Sequence, residues 1–176
     1  MGTHTSTHID APYHISKSGK TLNDFPVERF IGQESLLDFS DKGDIYEITR
    51  EDIMAHADEL KKVDFAILNQ GGQSITELGI SSAILIFQGM ALALVELGIK
   101  IVGTDGSSAD AAYGFSTAKR LENPTFSEIL NIERENIKNE AHAALLGNEC
   151  LIVEYMCNLE QLPKEAATYS FLPLKL

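Results

Sequence analysis

The sequence is short of the features that would place it in several large protein classes. It has two cysteines, Cys150 and Cys157, in 176 residues. Two thiols are too few for a secreted disulfide framework, and neither stands in a zinc-type pair. Both are expected to be buried and free, in a reducing compartment. Positive charge is equally scarce: 14 Lys and Arg face 26 Asp and Glu, for a net charge of -12. Phosphates need basic side chains to neutralise them, so this balance argues strongly against nucleic acid and disfavours anionic membrane surfaces. No apolar run is long enough to cross a bilayer. The best window, residues 83–99, is interrupted by Gln88 and Glu96 and falls short of the roughly 20 residues required. No signal peptide opens the chain, so a cytoplasmic protein is expected. Internal repeats and low-complexity tracts are missing too. What is left is an ordinary globular composition, 44% hydrophobic and 23% charged, with length for a single domain over residues 1–176.

Against that background one stretch stands out. His4, His8, Asp10 and His14 fall within eleven consecutive residues of a chain that has five histidines in all. Imidazole and carboxylate together are the ligand set of zinc and its transition-metal neighbours. The stretch is rich in threonine and runs into Pro12, so it is expected to be extended rather than helical. Alternation then sends His4, Ser6, His8 and Asp10 to one face. A straight strand would hold His4 and Asp10 about 20 Å apart, too far for one shared ion. Either the segment bends, or the ligands serve two metals with one residue between them. The bland reading is a polar surface strand or the remnant of a tag, but a tag would not continue into Asp10-Ala11-Pro12.

The remaining chain reads as alternating strands and helices. Residues 15–32 look like an irregular loop, and 35–39 like a strand. Thr49 is a candidate N-cap for a helix running to about Lys61, with His56 on it as a surface or structural histidine. Residues 65–68 form a short buried strand. Ser81 or Ser82 could cap an apolar helix that closes at Gly98, and 99–102 then form a strand. Strand, helix and strand at this spacing make a βαβ unit, so part of the sheet is expected to be parallel. Residues 111–128 are loop-like. A charged helix over about 132–146 carries His142 near its end, followed by a strand over 150–154 that closes on Glu154. Alone, Glu154 could be a strand-end residue reaching for solvent; its pairing with His142 favours a functional role. A helical turn near 159–163 and a last strand over 169–174 complete the chain.

Two motifs in order carry a resemblance. His4-x3-His8-x-Asp10-Ala11-Pro12-x-His14 near the start, and His142-x2-Leu145-Leu146 with Glu154-x3-Asn158-Leu159-x2-Leu162-Pro163 near the end, resemble the cyclase family of metal-dependent hydrolases. That family includes bacterial kynurenine formamidases and isatin hydrolases. Gly103-Thr104-Asp105-x2-Ser108 is similar to its segment between the two halves. The resemblance implies an α/β fold of the swivelling β/β/α type, a mixed sheet with flanking helices. It implies metal ligation by His4, His8, Asp10, His142 and Glu154, with Asp10 bridging two ions, and a catalytic role for His14. The cofactor would be one or two Zn2+ ions, with Mn2+ as the other fit. The implied reaction is hydrolysis of an aryl formamide or cyclic amide by a metal-activated water, with His14 moving a proton to the leaving nitrogen. A metal-dependent cyclase or lyase, or a metal-binding protein without catalysis, are the competing classes.

Three departures from the family pattern bear on these expectations. Ser6 stands where members usually carry glycine, a mild change if serine sits in a tight strand. Asn69-Gln70-Gly71-Gly72 replaces a segment that typically reads Arg-Thr-Gly in the formamidases. The chain is also expected to be shortened at both ends. Its sheet edges should then be covered in a homodimer or homotetramer, with the apolar helix near residues 82–97 contributing to the contact.

Overall fold

The computed structural model describes residues 4–42, 46–71, 85–86, 88–106, 108–110, 140–163 and 165–173. Among these, eight strands are present: β1 (His8–Asp10), β2 (Ile31–Asp38), β3 (Glu47–Ile48), β4 (Phe65–Asn69), β5 (Leu85–Ile86), β6 (Ile101–Thr104), β7 (Leu151–Glu154) and β8 (Ala167–Ser170). The α-helices are α1 (Arg50–Met54), α2 (Ala57–Leu60), α3 (Gln88–Glu96) and α4 (Glu140–Gly147). Six strands form one mixed sheet in the order β1-β7-β6-β4-β2-β8, and β3 and β5 make a separate parallel pair. The four central strands run parallel, and both edge strands run antiparallel to them. The α/β architecture with a mixed sheet and flanking helices is the expected one.

Every residue of β4, β6 and β7 is buried. Strands covered on both faces read as near-continuous apolar runs, and that is how these three look in sequence. One face packs Leu37, Ala66, Leu68, Val102 and Ile152 against α1, α3 and α4 through Ile53, Met90, Leu94 and Leu145. The other face carries Phe30, Phe65, Ile101, Leu151 and Val153, covered by Ile9, Leu22, Phe25, Tyr169 and Phe171. The β4–α3–β6 unit is parallel as anticipated, and Gly98 ends α3 at φ +86, where a side chain would be strained.

Several local expectations give way. The helix beginning at Thr49 starts as read, with a full Thr49–Asp52 capping box, but it stops at Met54. His56 leaves the helical region, at φ -103 and ψ 13, and a new helix follows with Asp58 and Glu59 in its favourable first turn. The apolar helix cannot begin at Ser81 or Ser82, because Leu85–Ile86 is a strand paired with Glu47–Ile48. A short apolar run does not tell a buried strand from a helix, and periodicity alone misassigns it. β2 begins at Ile31, inside the expected loop, after 3-10 turns at Pro12–His14, Leu22–Asp24 and Val27–Phe30. The last strand, Ala167–Ser170, starts two residues early and overlaps the expected 169–174 span only at 169–170. Cys150 is buried, with its thiol pushed up to about 12 by burial, whereas Cys157 is exposed, contrary to expectation. The 111–128 loop and most of the 132–146 helix lie outside the described residues.

Candidate metal centre

The register of β1 against β7 sets the site. His8 lies opposite Glu154, and Asp10 opposite Ile152, in an antiparallel pair. Directly opposed residues share a face, and so do residues two apart on one strand, so His8, Asp10 and Glu154 all project on the side where Ile152 meets the helices. His142, on α4, reaches down to the same point. Its Nε2 lies 3.6 Å from Asp10 Oδ2 and 3.4 Å from Glu154 Oε1. His8 Nε2 lies 3.4 Å from Glu154 Oε2 and 3.8 Å from Asp10 Oδ2.

His4 joins by a bend. Only His8–Asp10 is a strand; the chain ahead of it turns at Ser6, which sits at φ 63 in the left-handed region. The turn brings His4 Nδ1 to 3.0 Å from His8 Nε2 and 3.2 Å from Asp10 Oδ1. The distance problem of a straight strand is therefore removed by the backbone itself. Serine at this position does not sit in a tight strand, as expected, but in a conformation that glycine adopts freely. His14 ends the Pro12–His14 turn, its ring 4.4 Å from that of His4 and 5.6 Å from that of His142. Gly19 lets the following loop lie flush on this turn: a Cβ there would meet the Pro12 carbonyl carbon at 2.5 Å.

All six expected site residues thus come together. Two overlapping triads each offer ligand atoms within 4.8 Å of one another: His4, His8 and Asp10, and then Asp10, His14 and His142. Asp10 belongs to both. His56 stays apart, exposed on the surface and 3.8 Å from Glu59.

The donor set fits a cation. The Ser6 carbonyl is 2.8 Å from His8 Nδ1, and Asp110 Oδ2 is 2.5 Å from His142 Nδ1. Each oxygen can only accept, so each ring carries its proton on Nδ1 when neutral, and each Nε2 lone pair faces the carboxylates. Lone pairs pointed at carboxylate oxygens repel unless a proton or a metal ion lies between them. Asp10 Oδ2, buried between the two rings, makes no hydrogen bond of normal geometry among the described residues. Burial pushes the Asp10 carboxyl up, but His142 and the charges of His14, His4 and His8 hold it below the ordinary value. Glu154 is raised, chiefly by burial and also by the Asp10 charge, against the pull of the Ala109 amide and His142. Burial alone would lower His142, yet Asp10, Asp110 and Glu154 together raise it to about 9.

Asp110 is the residue that sequence reading missed. The Gly103–Ser108 segment was singled out, but no role was assigned to the aspartate two positions further on. The same segment braces the site: Ala109 N donates to Glu154 Oε1 at 2.6 Å, and Gln70 N donates to Asp105 Oδ1 at 2.9 Å. A cavity of about 610 Å³ opens beside the cluster, lined among others by Ser6, Asn69, Asp105, Tyr155 and Asn158. It lies at the carboxyl ends of the parallel strands, where open α/β sheets bind ligands.

Fold and cluster define an α/β protein whose sheet edge carries a histidine–carboxylate site of metal-ligand composition. The model of the Cyclase family matches residues 1–111, and the chain belongs to that family. It is 26% identical over 110 residues to the kynurenine formamidase of Salinibacter ruber (strain DSM 13855 / M31), a match covering 62% of this chain and 50% of that protein. The chain spans about half the length of the curated kynurenine formamidases it matches at this extent. A solved structure described as a potential metal-dependent hydrolase with cyclase activity is similar at a TM-score of 0.63 and 25% identity, over 97% of this chain and 69% of that one. Isatin hydrolase A from Labrenzia aggregata shares the fold at a TM-score of 0.72 and 22% identity, over 100% of this chain and 69% of that one. His142 and Glu154 fall outside the family-model match and enter the site through the geometry described above.

Proposed function

We propose that the chain is a metal-dependent hydrolase that cleaves an amide bond in a small molecule, either an aryl formamide or a cyclic amide. The observation that carries this reading is the convergence of the His8 and His142 Nε2 atoms on Asp10 and Glu154, where Asp10 Oδ2 makes no hydrogen bond of normal geometry among the described residues. His4, His8, Asp10, His142 and Glu154 would hold the metal. Asp10 belongs to both ligand triads, so it would serve each ion if two were held. Nitrogen and oxygen donors suit Zn2+, and Mn2+ is the alternative. A divalent ion bound there supplies Lewis acidity, which polarises a carbonyl and lowers the pKa of water.

The chain's own part is binding, orientation and proton transfer. His14 stands at the exposed rim of the cluster, and burial together with the His4, His142 and His8 charges lowers its pKa against the opposing pull of Asp10. That favours the neutral ring, able to take a proton and return it to a leaving nitrogen. The adjoining cavity would hold the rest of the substrate. Among the described residues no helix is long and apolar enough to cross a membrane, and the free thiols suit a cytoplasmic setting.

We further infer a homodimer or homotetramer. Among the described residues, strands β1 and β8 stand at the two edges of the sheet, and Ile31 and Leu172, at the β8 end, are about half exposed. Metal analysis of the purified protein, joined to a pH-indicator screen on N-aryl formamides and N-aryl lactams, tests the function. Hydrolysis of these releases a carboxylic acid and a weakly basic aryl amine, and hence a net proton. Bound metal with no turnover would favour a metal-binding protein instead, and turnover without acid release would favour a cyclase or lyase.

A further inference from the structure

We propose that Asp110 is a positioning residue for the metal centre: it fixes the tautomer and direction of the His142 ring and ties that ring to the first turn of α4. The inference rests on the proposed metal site and adds a residue to it that touches neither metal nor substrate.

Three contacts to one carboxylate carry it. Oδ1 accepts from the Ala141 amide at 2.7 Å, and Oδ2 accepts from the His142 amide at 3.1 Å. Oδ2 also takes the His142 ring Nδ1–H at 2.5 Å. The side chains are nearly enclosed, at 11% exposure for Asp110 and 7% for His142, so water does not compete freely for these bonds.

The backbone contacts satisfy two of the amides that every helix start leaves open. The ring contact does something different. It fills the one nitrogen of His142 that faces away from Asp10 and Glu154, and it can be made only with the proton on Nδ1. The opposite nitrogen is then left unprotonated and aimed at the two carboxylates. A carboxylate behind a ligating imidazole also raises its basicity, and losing such a partner typically costs 10–100-fold in metal affinity. His8 obtains the same tautomer from the Ser6 carbonyl, which is neutral. Asp110 is thus the one charged group among the described residues seen to orient a ring of the cluster from behind.

The test uses Zn2+ as the probe, with chelator competition to read affinity and 15N spectroscopy of the His142 ring in metal-free protein with the ring neutral. Wild-type protein is expected to show the Nδ1–H form alone. Asp110→Ala is expected to bind Zn2+ 10–100-fold more weakly and to show a mixture of both ring tautomers. Asp110→Asn, which can still cap a helix, is expected to fall between the two. A purely structural helix-capping role predicts instead that Asp110→Asn binds like wild type. That result would overturn the proposal, as would an Nε2–H ring in the wild-type protein, which needs no variant to observe. Wild-type protein that binds no Zn2+ would sink the metal reading itself, a different outcome from a variant that binds as tightly as wild type.

Discussion

Ser6 adopts a left-handed conformation, at φ 63, that costs a residue with a Cβ roughly 1–2 kcal/mol. The bend it makes turns His4 back onto His8 and Asp10. Glycine would adopt it without that strain but would lose more chain entropy on folding. Ser6→Gly is therefore expected to raise the stability of metal-free protein by about 0.5–1 kcal/mol, measured by urea unfolding, with the site intact. A loss of stability would mean that the hydroxyl, not the backbone, matters there. His14 makes a second prediction at this scale. Its ring touches the cluster from the rim, and on the proposed mechanism it handles protons without holding metal. His14→Ala should keep its metal while the rate of amide cleavage falls roughly 10²–10⁴-fold. Loss of metal from that variant would make His14 a ligand, as its place in the second triad also allows.

Among the elements, β2 carries an unusual load. Glu34 is 1% exposed, and neither carboxylate oxygen makes a hydrogen bond of normal geometry among the described residues. Burial raises its pKa above the usual 4.5, and the Glu59 charge adds to this, although the cross-strand Ala167 amide pulls the other way. For an acid whose folded-state pKa is raised, the native state holds the proton more tightly than the unfolded one. The contribution of Glu34 to stability is then fully present below about 4.5 and is lost as pH rises through the raised value. Glu34→Gln should accordingly stabilise the protein at pH 7 and flatten the decline above pH 4.5, in denaturation curves taken across pH. An unchanged pH profile would show that another group sets it.

Elements with a cap or a buried run were legible in sequence: the Thr49 helix start, β4, β6 and β7 announce themselves. The βαβ unit followed from spacing. The strand at Leu85–Ile86 did not, because it depends on pairing with Glu47–Ile48, distant in sequence. The cluster was legible in its members but not in its shape. His4 and Asp10 looked too far apart until Ser6 bent the chain, and Asp110 gave no signal because it acts through a ring nitrogen rather than as a ligand.

For the whole molecule, the sheet edges frame the remaining expectation. Among the described residues the sheet ends in β1 and β8, with Leu172 and Ile31 half exposed beside β8, and the chain is expected to associate. Light scattering at micromolar concentration is expected to give a dimer or tetramer mass, and a stable monomer would contradict it. Five side chains from the two ends of the sequence are expected to form one metal centre that includes Asp10. Metal analysis of wild-type protein and Asp10→Ala, purified in parallel and each checked for folding, is the decisive measurement. One or two equivalents of divalent metal per chain are expected in the wild type and almost none in folded Asp10→Ala. Equal metal content in the two, or a folded wild type that carries none and takes up none when Zn2+ or Mn2+ is supplied, would contradict it.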